Sequence, residues 1–380
     1  MKLLIRMTCC LLCCAAGVSA KVKAKDEVGV APHKGQARQI WRAIVISPEG
    51  KKDPPGDVLL DFKRLVKEAL APMGVNVVIF DMHWRNYRFT CRPEFAKVQL
   101  PKGRAFTKKD AQYLARICRA NGIGVMVGMN FLTHQNHGQM LKAFPQYSWP
   151  GTDRLWDPLN PKVNEVAFAM ADELIEAFQA DGFHVGMDEG WDFNPGTHPK
   201  AKDYSAATLF AKCVTDYHQH LVGKRGVKML MWSDMLEDRH RKGTSGALDL
   251  IPKDIIMCHW EYGFQSNYPW LQKLVDRGFC VLGCPFKNPK ATHAMVESVL
   301  KIDDAKMLGV LYTTWSNKIA YELRDALLQT GEQAKLDNTI KGIAEGMRRT
   351  LPMLMPARNH KGDQRDKCPQ GIKMPSRADN

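Results

Sequence analysis

Short apolar runs rich in β-branched residues alternate along this chain with longer segments whose apolar positions recur every three or four residues. The first pattern suits strands covered on both faces, and the second suits amphipathic helices packed against them. Eight runs stand out, at 41–47, 76–82, 124–130, 183–187, 227–232, 255–260, 279–284 and 308–314. Helical periodicity fits between most of them, at 57–71, 108–121, 162–180, 204–223, 269–277 and 291–301, whereas the fifth connection is short and irregular. Two more helices, 318–328 and 336–351, would close a ring. This alternation predicts an α/β chain folded as a (β/α)8 TIM barrel, one domain over 39–351. An open doubly wound sheet usually carries a glycine-rich phosphate turn after its first strand, and none follows Ser47.

The two ends of the chain break the pattern. Lys2 and Arg6, an apolar stretch over 11–18 and the small residues Val18-Ser19-Ala20 read as a secretory signal peptide over 1–20, cleaved near Lys21. That predicts a secreted or periplasmic protein. A lipoprotein built on the Cys13-Cys14 pair is the other reading, with Leu11-Leu12-Cys13 a poor lead-in. Residues 21–38 read as a basic linker, and 352–380, rich in proline and basic residues, as a disordered tail. No later segment is long and apolar enough for a transmembrane span.

Composition adds limits. With 380 residues, 45% hydrophobic and 25% charged, and 9 Trp, one large globular core is affordable. The net charge of +14 could suit nucleic acid, but much of the excess lies at 21–25 and in a tail carrying Arg358, Lys361, Arg365, Lys367, Lys373 and Arg377. Solvated tails are the simpler reading, so no nucleic acid partner is expected, with attraction to an acidic polysaccharide or lipid as a second reading. Of the 11 cysteines, four precede residue 21; the remaining seven are odd in number and mostly sit in apolar runs, which favours buried free thiols over a disulfide framework. The spacing of Cys280 and Cys284 lacks a second ligand pair, so neither a metal nor another cofactor is expected.

In such barrels chemistry gathers at the C-terminal strand ends. This chain places Asp81 and His83, Asn130 and His134, Asp188 and Glu189, Trp232 and Asp234, Trp260 and Tyr262, and Trp315 to Asn317 there, with Arg42 at the start of the first strand. The fourth run continues into His184-Val185-Gly186-Met187-Asp188-Glu189. Adjacent acids are common at exposed turns and helix starts. At the end of a buried strand, though, two carboxylates must be desolvated or hydrogen-bonded, a cost that function explains. Trp232, Trp260 and Trp315 could each be core; three at neighbouring strand ends beside an acid pair fit an aromatic pocket wall better. Histidines beside barrel strands are often structural, which is the alternative for His134 and His184.

From about Arg42 to Asn317 the chain resembles the catalytic domain of glycoside hydrolase family 20, the β-N-acetylhexosaminidases, and especially its short hexosaminidase D-like members. His184 to Glu189 matches the family's His-x-Gly-x-Asp-Glu string, and Leu159-Asn160-Pro161 its Leu-x-Pro element. Trp41-Arg42, Asn130 to His134, Trp232-Ser233-Asp234, Trp260-Glu261-Tyr262, Pro285-Phe286-Lys287 and Gly309 to Trp315 follow in the family's order. The resemblance implies an exo-acting retaining glycosidase that removes terminal β-linked N-acetylhexosamine from a glycan or glycoconjugate through an oxazolinium intermediate. It makes Glu189 the acid and base and Asp188 the brace for the acetamido group. Arg42, His134, Trp232, Asp234, Trp260, Tyr262 and Trp315 become substrate-binding residues, with His184, Asp81 and His83 supporting the acid pair. Two departures touch recognition of sugar hydroxyls: Trp315-Ser316-Asn317 stands where larger members have Trp-Gly-Glu, and Met187 replaces a second glycine. They leave open a retaining glycosidase of different sugar specificity on the same barrel. A catalytically silent carbohydrate-binding barrel is opposed by the intact acid pair.

Overall fold

The computed structural model describes residues 40–48, 55–98, 105–135, 140–238, 243–315 and 319–356. Eight strands form a closed barrel in sequence order: β1 Trp41–Ile46, β2 Val77–Asp81, β3 Gly124–Gly128, β4 Gly182–His184, β5 Lys228–Trp232, β6 Ile256–Trp260, β7 Cys280–Cys284 and β8 Met307–Tyr312. Every neighbouring pair is parallel, and β1 closes on β8 through Trp41 opposite Gly309. The (β/α)8 TIM barrel expected from the alternating pattern is therefore the observed fold.

The longer helices among the described residues are α1 Pro55–Arg64, α2 Lys108–Ala120, α3 Pro161–Phe178, α4 Ala206–His218, α5 Pro269–Asp276, α6 Pro289–Lys301, α7 Ile319–Leu328 and α8 Asn338–Thr350. Their starts follow local chemistry. Thr107 and Asp110 cap α2 reciprocally, and Asn160 and Asn288 cap α3 and α6 just before a proline that needs no amide partner. Wider, π-type turns at Leu65–Leu70 and Gln219–Lys224 extend α1 and α4, completing the periodic segments read at 57–71 and 204–223. The irregular fifth connection contains two 3-10 turns, Asp234–Leu236 and Ser245–Asp249.

Side chains alternate across each strand, dividing the core in two. Ala43, Val45, Val77, Ile79, Leu230 and Leu311 fill the barrel interior, while Ile44, Ile46, Val78 and Phe80 meet the helices. Arg42 thus falls on the outward face of β1, at the end opposite the one where barrel sites form.

Two boundaries move. β4 ends at His184 rather than 187, because Gly186 and Met187 take left-handed backbone, φ 72° and 70°. The last turn, Leu351–Leu354, packs against the barrel with Leu351 and Leu354 buried, so the first residues of the expected tail belong to the domain. The expected signal, the basic linker and the tail from 357 onward lie outside the described residues. The six described cysteines are unpaired thiols; Cys368 lies outside. Among the described residues no helix is long and apolar enough to cross a membrane.

Candidate active site

The acid pair owes its placement to a sharp turn. After His184 the chain runs through Gly186 and Met187 to Glu189, itself at φ 50°. Left-handed conformations at Met187 and Glu189 are strained for residues with a Cβ, by about 1 to 3 kcal/mol each, and surrounding structure must hold them. Gly186 is needed for contact: a Cβ there would stand 2.4 Å from Cγ of Asn130. The left-handed backbone at 187 is one that glycine would adopt without strain.

Asn130, just past β3, braces the turn from beneath. Its Oδ1 accepts from the Thr133 amide (3.1 Å), the Thr133 hydroxyl (2.9 Å) and the Met187 amide (3.2 Å). The amide orientation is thereby set, and Nδ2 donates to Oδ1 of Asp188 at 2.7 Å. His134 bridges the pair, with Nε2 3.3 Å from Oδ2 of Asp188 and 3.4 Å from Oε2 of Glu189. Burial opposes its protonation, but the hydrogen bond and charge of Asp188, then Glu189 and Asp234, outweigh that and raise its pKa above the ordinary 6.5. Asp188 is 16% exposed and Glu189 37%, so Asp188 lies deeper than its neighbour.

Asp81 ends β2 on its inward face. Burial lifts its carboxyl from 3.8 to about 6; Asp188 adds to the rise, and His83, His184 and His134 oppose it. His83 accepts the Arg85 amide at Nδ1, and its own amide donates to Asn86. His184 is buried below the turn, accepts the Gly186 amide at Nδ1 (3.1 Å) and packs on Trp232 at 4.3 Å between ring centroids. Of the three expected supporting residues, Asp81 lies close enough to Asp188 to feel its charge and His184 sits under the turn, while His83 stands beside Asp81.

The aromatic residues form one connected wall. Trp232 meets Trp315 edge to face at 5.7 Å, and Tyr262 packs on Trp260 and on Phe286, each at 5.1 Å. Trp232 is almost wholly buried, whereas Trp315 is exposed. The Trp315 indole donates to the Tyr262 hydroxyl at 2.7 Å. An indole N–H can only donate, so the tyrosine oxygen is the acceptor there, and the Thr313 side chain, whose own hydroxyl donates to the Pro285 carbonyl, hydrogen-bonds the same phenol. Burial disfavours the ionised phenolate, raises the Tyr262 pKa and keeps the phenol protonated.

Two expected sugar contacts are corrected. Arg42 is 5% exposed at the opposite rim, where Nε donates to the Gly74 carbonyl (2.6 Å) and Nη1 to those of Ile40 and Leu354 (3.3 and 3.4 Å). Its place at the start of β1, rather than the end, put it there. Asp234 is fully buried behind the wall, with its two oxygens accepting from the Glu189 amide (2.9 Å) and the Trp260 indole (3.2 Å). Asn317 lies outside the described residues. The roles of Asn130 and of Phe286 against Tyr262 went unread; only their places at strand ends could have suggested them.

His134, Asp188 and Glu189 are also the described group whose donor atoms, all within 4.8 Å of one another, could converge on a cation. The group coincides with the acid pair, whose hydrogen bonds already account for its arrangement.

The pattern of the glycosyl hydrolase family 20 catalytic domain matches residues 90–343. A β-hexosaminidase of Emericella nidulans is 26% identical over 223 residues, 50% of this chain and 34% of that protein, so the match spans about a third of the relative. A chitobiase structure from Flavobacterium johnsoniae superposes with a TM-score of 0.60 at 17% identity, over 83% of this chain and 52% of that one. An exo-β-N-acetylglucosaminidase from Vibrio harveyi, solved with N-acetylglucosamine, gives 0.57 at 15% identity, over 83% and 58%. At such identities the structures speak for the fold, and the match over 90–343 speaks for the lineage: the chain belongs to glycosyl hydrolase family 20.

Proposed function

We propose that this protein is an exo-acting β-N-acetylhexosaminidase that hydrolyses by substrate assistance. The observation that carries the reading is the pairing of consecutive carboxylates, Asp188 and Glu189, on a single imidazole. Ordinary glycosidases set two carboxyl groups on either side of the scissile bond. Neighbours that share one histidine serve the same side of a sugar, so the atom attacking the far face must come from elsewhere. The acetamido oxygen of the substrate can supply it.

Glu189 then protonates the glycosidic oxygen as the bond to the anomeric carbon breaks, and afterwards takes a proton from the water that opens the oxazolinium ring. Asp188, held by Asn130, accepts from the acetamido N–H and stabilises the positive ring as it forms. Tyr262 is held in the pocket wall by Trp315 and Thr313. Trp232, Trp260 and Trp315 offer apolar surface to the methyl group and sugar face. Export through a cleaved signal, followed by action on a GlcNAc- or GalNAc-bearing glycan outside the cytoplasm, completes the proposal.

The test compares nitrophenyl β-GlcNAc, β-GalNAc and β-glucoside, each with and without a thiazoline that mimics the oxazoline. Cleavage of both acetamido sugars, inhibited by the thiazoline, is expected. Equal cleavage of the glucoside would rule out substrate assistance.

A further inference from the structure

Asp234 is costly to place. It is fully buried after β5; burial and the nearby Asp188 carboxylate raise its pKa, and the hydrogen bonds from the Glu189 amide and the Trp260 indole act the other way, favouring the ionised form. An uncharged side chain would avoid that desolvation cost. What the carboxylate does there is visible in its partners. One oxygen accepts the backbone amide of Glu189, a residue in left-handed conformation, and the other accepts the indole N–H of Trp260. The next residue extends the grip: the Gly190 amide meets Sδ of Met235 at 3.3 Å, and a Cβ on Gly190 would come within 2.9 Å of Met235 Cε. The turn carrying Asp234 is itself anchored, because the Ser233 amide donates to the Cys258 carbonyl and the Ser233 hydroxyl to Glu237, which also holds His259.

We propose that Asp234 is a positioning residue for proton transfer: its carboxylate holds the Glu189 backbone in the left-handed turn that presents the acid, and ties that turn to the Trp260 pocket wall. Being fully buried, it does not contact sugar. Two acceptors on one rigid planar group fix the backbone of the acid and the orientation of the indole together. An amide side chain cannot do both, because one of its two atoms is a donor and would face a donor. The proposal rests on the reading of Glu189 as the acid.

The experiment measures kcat and KM for wild type, Glu189→Gln and Asp234→Asn on aryl β-N-acetylglucosaminides whose leaving groups run from dinitrophenol to phenol. Good leaving groups need little protonation and poor ones need much. Asp234→Asn is expected to lose about 10- to 100-fold in kcat on the phenyl glycoside, the scale of a slightly misplaced group. On the dinitrophenyl glycoside the loss should stay below about threefold, with KM nearly unchanged on both. Glu189→Gln should show a steeper trend in the same direction. If Asp234→Asn folds poorly, Trp260→Phe with and without Asp234→Asn removes the indole donor that would face the new amide nitrogen and supplies the same comparison.

Equal losses across the series, or a rise in KM alone, would overturn the role of Asp234 even when Glu189→Gln behaves as expected. A flat series for Glu189→Gln would bring down the acid assignment and this proposal with it.

Discussion

The two rims of the barrel bury charge in opposite ways. At the N-terminal rim, the Arg42 guanidinium is surrounded by the backbone carbonyls of Gly74, Ile40 and Leu354, and the Arg42 amide donates to Asn76. Those bonds join β1 to the turn before β2 and to the last turn of the domain. At the C-terminal rim, Asp81, His134, Asp188 and Glu189 are balanced mainly against one another, on a backbone strained at His134, Met187 and Glu189. Charge met by fixed backbone dipoles steadies the fold. Charge met by other titratable side chains stays responsive to protons and ligands, as a catalytic site requires.

The contrast is easiest to break at the acid pair. Glu189→Gln should lower turnover of a poor leaving group by about 10²- to 10⁴-fold, the worth of general acid catalysis, with the urea midpoint little changed. Asp188→Asn should slow acetamido substrates with good and poor leaving groups alike by about 10²-fold or more, as loss of a charge aimed at the transition state does. Full activity in both variants would misplace the site.

The opposite rim should respond the other way. Arg42→Met should cost about 2 to 4 kcal/mol in urea unfolding, because it removes charge-assisted bonds and strands three carbonyls. The KM and kcat of the folded fraction should match wild type. A selective rise in KM would return Arg42 to the sugar and end the comparison.

Acidity sharpens the contrast further. Asp81 titrates near 6 when folded instead of 3.8, so its folded form binds the proton more tightly than the unfolded chain does. Its contribution to stability is full below about 4 and is lost as pH rises through 6. The raised pKa of His134 has the same sign: its contribution is full below 6.5 and is lost as pH rises past the folded value. Urea midpoints of wild type, referenced to Asp81→Asn, should therefore fall by about 1 to 3 kcal/mol equivalent between pH 4 and pH 7. A rise over that range would contradict the assignment. The smallest effect is expected at Glu173 on α3, whose carboxylate accepts the Thr90 and Cys91 amides and the Thr90 hydroxyl. Glu173→Gln should cost about 1 kcal/mol and leave leaving-group trends untouched, since its hydrogen bonds go to a loop segment and not to the acid pair.

Much of this was legible from the chain alone, for reasons that differ by feature. Strands buried on both faces need unbroken apolar runs, so β1 to β8 announced themselves to within a residue or two, apart from the end of β4. There the left-handed backbone of Met187 contradicts its local preference, and side chains brought in from elsewhere in the fold, Asn130 and Asp234 among them, make the turn tolerable. Arg42 could have been placed correctly by alternation, since Trp41, Ala43 and Val45 line the interior and leave it facing out.

The order of apolar and polar positions, with the His184 to Glu189 string, was enough to specify a barrel, its lineage and the pair of acids, because burial periodicity and motif spacing are local properties of a chain. Which charges face each other is not local. Asn130 reaches Asp188 across 58 positions, Asp234 reaches the Glu189 amide across 45, and Arg42 reaches Leu354 across 312. Those meetings exist only once the barrel has closed, and they decide which buried charges hold the fold and which are positioned for chemistry.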